Sequence, residues 1–436
     1  MTPFVYNLFP RLVGPVDRWP EHARRARGMG FDWLFVNPWH YPGFSGSLYA
    51  VKEYGRLNPA FVPAGQEGRG LEPLREALAA IAALGMRPMM DLVVNHTAKD
   101  SPLVESHPEW YRWDAPGQVH SPSVREAHDP SQVTVWGDLA EIDNEPPRGR
   151  VELWRFWAGV VRDALALGFR GFRCDAAYKV PARLWRYLID EARSVDPEVV
   201  FFAETLGAPA EEVEGLAGAG FDFFFNSSKW WNFSEPWALK QHEELRRIAP
   251  SIAFPESHDT TRLAADTGGD AAVQRQRYAF AAAFSAGVMI PVGYEFGFRT
   301  QVNVVETKPT DWERRRMDLR PFVTRVNRLK ARHPVLQGEG VLRAPLGLHE
   351  EVLVLERRAS DEPRAPRGWI LVNKSSGEER RAHPARFAPA ALVAGAGYRL
   401  FRVCRDGAPE EGEPVPQELA LERAEVAFLL PAVPHA

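Results

Sequence analysis

A short apolar run followed by a longer helical pattern occurs eight times along the chain. The runs are rich in β-branched and aromatic residues, and their alternation with helical patterns is typical of βα units around a parallel sheet. Eight such units predict an α/β fold, a closed (β/α)8 barrel. The predicted strands are 4–8, 33–37, 86–94, 168–174, 199–204, 221–226, 251–256 and 288–292. The predicted helices lie near 16–30, 71–85, 150–167, 181–195, 208–218, 234–247, 271–286 and 311–333.

The third unit has an unusually long connection, because its strand ends near Val94 and the next helix begins near Arg150. These roughly 55 residues far exceed the usual 2–6 residues of a βα loop, so we expect a lid or subdomain there. Towards the C-terminus, short alternating runs separated by Gly, Pro and charged residues predict antiparallel strands. The predicted domains are a barrel (1–96 and 137–335), an insertion (97–136) and a C-terminal β-sandwich domain (336–436).

Charge and composition exclude several classes of partner. The formal net charge is −4, so no positive field attracts nucleic acid or anionic lipid. No apolar stretch reaches the roughly 18 to 20 residues of a membrane span, and Pro10 and Arg11 interrupt the N-terminal apolar run before a signal-peptide core forms. We therefore expect a cytoplasmic chain with no membrane partner, unless a leader has been removed. Cys174 and Cys404 have neither metal-ligand spacing nor a disulfide framework, and the oligomeric state stays open.

Carboxylates lie within or just after four of the predicted strands. Asp91 lies in the third strand, Asp175 follows the fourth, Glu204 ends the fifth and Asp259 follows the seventh. The active sites of barrel enzymes lie at the C-terminal ends of the strands. Each acid by itself is more often structural than catalytic. Four of them at one rim, accompanied by two His and one Arg, predict a catalytic site.

The segments that carry these acids resemble the four short signature regions of the α-amylase family of glycoside hydrolases (family 13), in the family's order. They read DLVVNH (91–96), GFRCD (171–175), FFAE (201–204) and FPESHD (254–259). Two further segments, SLYAVKEY (47–54) and GVMIPVGYEFG (287–297), are similar to other family motifs. The resemblance covers about residues 1–335 and implies the barrel with an appended C-terminal β-domain.

The resemblance implies that Asp175 is the nucleophile, Glu204 the general acid/base and Asp259 the carboxylate that stabilises the transition state. A retaining glycosidase needs one ionised and one protonated carboxyl group, about 5–5.5 Å apart. Arg173 lies two residues before Asp175, on the same side of the strand, and could keep it ionised. Three apolar residues precede Glu204, so desolvation could keep its proton.

The same resemblance implies that His96 and His258 bind hydroxyl groups of the sugar and that Tyr49 stacks on its ring. Each has a structural alternative, a strand-end His satisfied by the backbone or an aromatic residue of the core. The other predicted substrate-binding residues are Arg173, Tyr178, Lys179 and Trp230.

Asp91 and Asn95 are expected to have structural roles. Asp91 would support the barrel and Arg173. Asn95 matches a position that helps to hold Ca²⁺ in calcium-dependent family members. One Asn with Asp138 or Asp143 falls short of the six to eight oxygen ligands that calcium needs, so we predict no metal and no cofactor.

Two departures from the family bear on the reaction. Ser257 replaces the usual Asn before His258. The hydrogen bond that the Asn forms in the family is therefore expected to be weaker here or to be made by another group. The segments NHTAKDS (95–101), HPEWY (107–111) and YKVP (178–181) are locally similar to maltosyltransferases that use maltose 1-phosphate. Those enzymes carry Asn directly after the nucleophile, whereas this chain has Ala176, whose side chain cannot donate to a phosphate.

The sequence therefore favours a retaining α-1,4-glucan hydrolase that releases short products such as maltose from oligosaccharides or polysaccharides. The alternative is an α-glucan or maltosyl transferase of the maltose 1-phosphate type. A non-catalytic carbohydrate-binding relative is disfavoured because all three acids are present. An enzyme for phosphorylated metabolites is disfavoured because Glu295, in the segment after strand eight, would repel phosphate.

Overall fold

Eight parallel strands form the closed barrel of the computed structural model, which describes residues 2–125, 133–389 and 397–432. Each strand pairs with its neighbours in chain order, and the first pairs with both the second and the eighth, which closes the sheet. The predicted (β/α)8 barrel is confirmed. The strands are β1 (Phe4–Leu8), β2 (Trp33–Val36), β3 (Arg87–Leu92), β4 (Gly171–Cys174), β5 (Val200–Glu204), β6 (Phe223–Phe225), β7 (Ser251–Ala253) and β8 (Gly287–Pro291).

The barrel interior is packed with large side chains that alternate along the strands with outward-facing ones. Val5, Trp33 and Phe35 contribute to the inner cluster, whereas the residues between them face the surrounding helices. Gly171 leaves room for Trp33, because a Cβ atom there would lie 2.6 Å from the indole ring. Since both faces of each strand are buried, the strands read as continuous apolar runs.

Helices follow the strands in the predicted order. They are α1 (Trp19–Gly28), α2 (Glu72–Ala83), α3 (Arg150–Leu167), α4 (Ala182–Val195), α5 (Ala210–Glu214), α6 (Trp237–Leu245), α7 (Ala271–Phe284) and α8 (Arg320–Arg332). None of the helices in the described residues is long and apolar enough to cross a membrane.

Several element boundaries differ from the prediction by a few residues, and two of the differences have a cause in the structure. Helix α8 begins at Arg320 rather than near 311. The preceding backbone is bound elsewhere, because Leu319 N donates to Glu295 O at 2.9 Å, and Pro321 then suits the first turn of the helix. Strand β7 ends at Ala253 rather than at 256, and Pro255 has no N–H with which to extend the ladder.

Two long connections cover the C-terminal end of the barrel. Between β2 and α2, a hairpin pairs His40–Pro42 with Val51–Leu57. Between β3 and α3, His96–Ala98 pairs with Leu139–Glu141 at the base of the predicted insertion. Residues 126–132 of that insertion lie outside the described part of the chain. Two smaller antiparallel pairs lie further along the insertion: Trp113–Ala115 with Gln118–Val119, and Ser123–Arg125 with Val133–Val135.

The C-terminal region contains the strands β9 (Leu342–Arg343), β10 (Val352–Arg358), β11 (Arg367–Asn373), β12 (Tyr398–Phe401) and β13 (Val426–Pro431). They form a five-stranded antiparallel sheet in the order β9-β10-β11-β13-β12, and a two-stranded sheet pairs Arg380–Ala382 with Leu419–Leu421. Leu353 and Leu355 lie on the face of the larger sheet that joins the main core of the barrel. The opposite face packs against the smaller sheet.

Candidate active site

A cavity of about 800 Å³ opens at the C-terminal ends of the barrel strands. Its lining contains six carboxylates and three cations among aromatic and small side chains. Nine of the twelve predicted site residues line it: Tyr49, Asn95, His96, Arg173, Asp175, Tyr178, Lys179, Glu204 and Asp259.

Arg173 connects two carboxylates at the floor of the cavity. Strands β3 and β4 pair Asp91 directly with Arg173, and the two-residue period of β4 places Asp175 on the same side as Arg173. Nη1 of Arg173 lies 2.8 Å from Asp91 Oδ1 and 2.6 Å from Asp175 Oδ1. Burial opposes the charged guanidinium, but the carboxylates, Asp91 first, outweigh it and raise the pKa of Arg173. Asp91 thus supports Arg173, and Arg173 holds Asp175 at the cavity.

Replacement of Arg173 by Met tests this support. Asp91 is fully buried, and burial raises its pKa to about 8 although Arg173 opposes the shift. Loss of Arg173 leaves this buried carboxyl group without its partner, and we expect the free energy of unfolding to fall by about 3–5 kcal/mol. Denaturant unfolding measures the change. In the control Arg162→Met, which breaks an exposed pair with Glu191, the change should stay within about 1 kcal/mol. Equal effects of the two substitutions would contradict the supporting role of Arg173.

Glu204 ends β5 and is held by two backbone N–H groups. Leu206 N donates to Oε1 at 2.8 Å, and Ala176 N donates to Oε2 at 3.1 Å. Ala176 has φ of 42°, in the left-handed region that non-glycine residues rarely adopt. Burial raises the pKa of Glu204 to about 7, although Arg173 opposes the shift. Glu204 is therefore a carboxyl group that can hold a proton near neutral pH and release it.

Tyr49 and His258 form a network behind Asp259. The Tyr49 hydroxyl donates to Asp91 Oδ2 at 2.7 Å, so its oxygen accepts from His258 Nε2 at 2.7 Å. Burial lowers the pKa of His258 to about 4, so the ring is neutral near pH 7. Donation to the Tyr49 oxygen places its one proton on Nε2. The same nitrogen lies 3.1 Å from Asp259 Oδ2, and Arg173 Nη2 lies 3.8 Å from that oxygen.

The remaining predicted residues divide into those inside and outside the cavity. His96 is buried in its lining, and neither ring nitrogen has a hydrogen-bond partner among the described residues. His258 lies behind Tyr49 rather than in the lining. Trp230 also lies outside, with an exposed indole near Gly207 on the Glu204 side of the mouth. Ser257, in place of the family's Asn, accepts from Asp259 N at 3.3 Å.

Sequence reasoning missed several charged residues of the lining. Arg112 of the insertion and Glu141 at its base form an ion pair of 2.9 Å. Glu141 lies opposite His96 because their two short strands pair, although more than forty residues of sequence separate them. No local sequence pattern indicates that pairing. Glu212 lies on α5 and contacts Lys179. The lining also contains residues that the sequence did not predict to bind substrate: Ser47, Pro122, Ser123, Trp136, Asp138, Leu139, Ala176, Leu206 and Val304.

The prediction that no calcium ion binds near Asn95 stays a prediction. Asp143 Oδ1 accepts from Glu145 N at 3.1 Å, and Asn144 Nδ2 donates to Val94 O. Among the residues that the structure describes, no three His, Cys, Asp or Glu side chains are grouped as metal ligands. We therefore derive no step through a metal ion.

Comparison with known proteins identifies relatives that are similar in sequence and structures that are similar in fold. Residues 4–116 match the family model of the glucanotransferase domain of glycogen debranching enzyme. The chain is 30% identical, over 93% of its length, to α-1,4-glucan:maltose-1-phosphate maltosyltransferase of Burkholderia pseudomallei, of which it covers 36%. It is 25% identical, over 84% of its length, to the same-named protein of Rhodospirillum rubrum, of which it covers 58%. A crystal structure of an α-amylase from Lactobacillus plantarum matches 99% of both chains with a TM-score of 0.74 and 21% identity.

The chain has the α-amylase family fold. Its sequence is also similar to maltosyltransferases, so both parts of the predicted resemblance are confirmed. The chain spans only between about a third and three fifths of the length of these two curated relatives. The fold places the proposed nucleophile and acid at the ends of adjacent strands, β4 and β5.

Proposed function

We propose that this chain is a retaining enzyme that acts on α-1,4-glucans and transfers a glycosyl group to a sugar acceptor. The observation that carries the proposal is the pairing of Asp175 with Arg173 beside Glu204, whose pKa of about 7 lets it act as both acid and base. The matched family model and the curated relatives are named for glucanotransferase and maltosyltransferase activities, which supports transfer over the hydrolysis that the sequence favoured.

The reaction proceeds in two displacements. Glu204 donates its proton to the glycosidic oxygen while the Asp175 carboxylate attacks the anomeric carbon, and the leaving sugar departs with a hydroxyl group. Glu204, now ionised, then takes the proton of an acceptor hydroxyl, whose oxygen attacks the anomeric carbon and releases Asp175. A sugar as acceptor gives transfer, and water gives hydrolysis.

The cavity favours a neutral donor over a phosphorylated one. Ala176 follows the proposed nucleophile and has no polar side chain. Each cation of the described lining has a carboxylate partner, because Arg112 binds Glu141, Arg173 binds Asp91 and Asp175, and Lys179 binds Glu212. A phosphate group would therefore meet no free positive charge, although the relatives are named for maltose 1-phosphate.

Incubation with maltoheptaose, with and without inorganic phosphate, tests the proposal. We expect shorter and longer maltooligosaccharides to form together with little increase in reducing ends, because transfer conserves their number. Newly formed linkages should have the α-configuration, and phosphate should not change the products. Chromatography, a reducing-end assay and anomeric NMR measure these outcomes.

Other product patterns would contradict parts of the proposal. Shorter products alone, with a matching rise in reducing ends, would make the enzyme a hydrolase. Formation of maltose 1-phosphate would show that phosphate enters the cavity. Inverted β-products would exclude double displacement.

A further inference from the structure

We propose that Glu212 determines which donors the enzyme accepts, by pairing with Lys179 and so excluding donors that carry an anionic phosphate group. The inference rests on the proposed function. The Lys179 ammonium lies 3.0 Å and 3.2 Å from the two carboxylate oxygens of Glu212. Both side chains line the cavity and are more than a third exposed, so a ligand can reach the pair.

The pair lies on the side from which the leaving group departs. Ala176 N binds one oxygen of Glu204 and opens the turn that carries Lys179. Leu206 N binds the other oxygen and precedes α5, which carries Glu212. Because Glu204 protonates the leaving oxygen, the leaving group departs towards these two segments. A phosphate in that place would approach both charges of the pair.

The charges of the lining make Lys179 the decisive cation for such a phosphate. Arg112 is neutralised by Glu141 on the insertion, and Arg173 is engaged by Asp91 and Asp175 at the cavity floor. Lys179 is therefore the one cation of the described lining that extends from the segments around Glu204. With Glu212 beside it, its attraction for a dianion is cancelled. A neutral sugar leaving group carries no charge and is insensitive to this cancellation.

Glu212→Gln tests the inference with two donors that share one glycosyl group. α-Maltosyl fluoride is uncharged before it reacts, whereas α-maltosyl phosphate carries a dianionic phosphate group. We expect the ratio of kcat/KM for the phosphate to that for the fluoride to rise about tenfold, mainly through a lower KM for the phosphate. The gain should shrink at 1 M salt, because the pair is exposed. Glu212→Ala should give the same change.

Two controls separate charge from structure. Glu211→Gln removes the same charge from the neighbouring, exposed position of α5 and should leave the ratio unchanged. Lys179→Met combined with Glu212→Gln should abolish the rise in the ratio, because the double variant has no ammonium group at position 179 to attract the phosphate.

The outcomes distinguish this inference from the proposed function. A wild-type enzyme that does not turn over α-maltosyl fluoride contradicts the proposed function itself. Turnover of the fluoride with an unchanged ratio in both Glu212 variants overturns the inference alone. Equal use of the phosphate and the fluoride by the wild-type enzyme also overturns it, since no exclusion would then exist.

Discussion

Asp175→Asn should lower turnover at least about 10⁴-fold with every glycosyl donor, while the protein stays folded. The amide has nearly the volume of the carboxylate but cannot form the glycosyl ester with the anomeric carbon. Arg173 keeps its contact with Asp91, so the floor of the cavity is preserved. A loss of this size corresponds to about 5.5 kcal/mol of transition-state stabilisation. The rate with α-maltosyl fluoride and the unfolding curve measure the two parts of the expectation.

An exposed aspartate supplies the control for Asp175. Asp190 pairs with Arg186 on the surface of α4, so Asp190→Asn should keep turnover within a few-fold of the wild-type rate. Calorimetry with maltoheptaose should show that Asp175→Asn still binds substrate. Near-normal turnover by a folded Asp175→Asn enzyme would exclude Asp175 as the nucleophile.

The barrel was predictable because its signal is local. Each strand is buried on both faces and so gives a continuous apolar run, and the inner cluster around Trp33, Phe35 and Phe202 confirms that burial. The predicted start of α8 was wrong because contacts with residues distant in sequence determine where the helix begins. The backbone before Arg320 binds Glu295 and Phe296, so residues with helical propensity stay outside the helix.

The proposed catalytic acids were predictable for the same reason. Asp175 and Glu204 end or follow apolar runs, and parallel strands bring such ends to one rim. Lys179 and Glu212 show what was not predictable. Their pairing joins the turn after β4 to helix α5, and no periodic pattern in the sequence indicates the contact. The charges that decide donor choice are therefore visible only in three dimensions.

The sequence-based expectation of hydrolysis combined two separate questions, namely which group leaves the donor and which group accepts the glycosyl unit. Ala176 argues against a phosphorylated donor, because its methyl side chain cannot bind phosphate. That argument concerns the group that leaves, whereas hydrolysis and transfer differ in the group that enters. A neutral donor is compatible with either acceptor, so the names of the relatives now favour transfer without contradicting the reasoning about Ala176.

The proton of Glu204 should govern the pH dependence of the reaction. The first step needs the protonated acid, whose pKa burial raises to about 7. We therefore expect kcat/KM for maltoheptaose to be high below pH 7 and to fall tenfold per pH unit above it. The measurement is a pH profile of initial rates between pH 5 and 9.

Glu204→Gln should remove this basic limb and lower kcat/KM for maltoheptaose about 10³-fold, because glutamine cannot protonate the leaving oxygen. α-Maltosyl fluoride should still react in the first step, since fluoride leaves without a proton. The glycosyl-enzyme on Asp175 then lacks a base to activate its acceptor, so it should accumulate. Azide attacks without a base, and it should restore turnover and yield α-maltosyl azide with the configuration of the donor retained.

Glu211→Gln is the matched control, because it makes the same change on the exposed surface of α5 and should keep the basic limb. Persistence of that limb in Glu204→Gln would assign the titrating proton to another group. A failure of azide to restore turnover, with the fluoride still consumed, would show that the second step does not depend on a base. Formation of α-maltosyl azide by the Glu204 variant alone would show that Glu204 acts in both steps. It would be the acid that protonates the leaving oxygen in the first step and the base that activates the acceptor in the second.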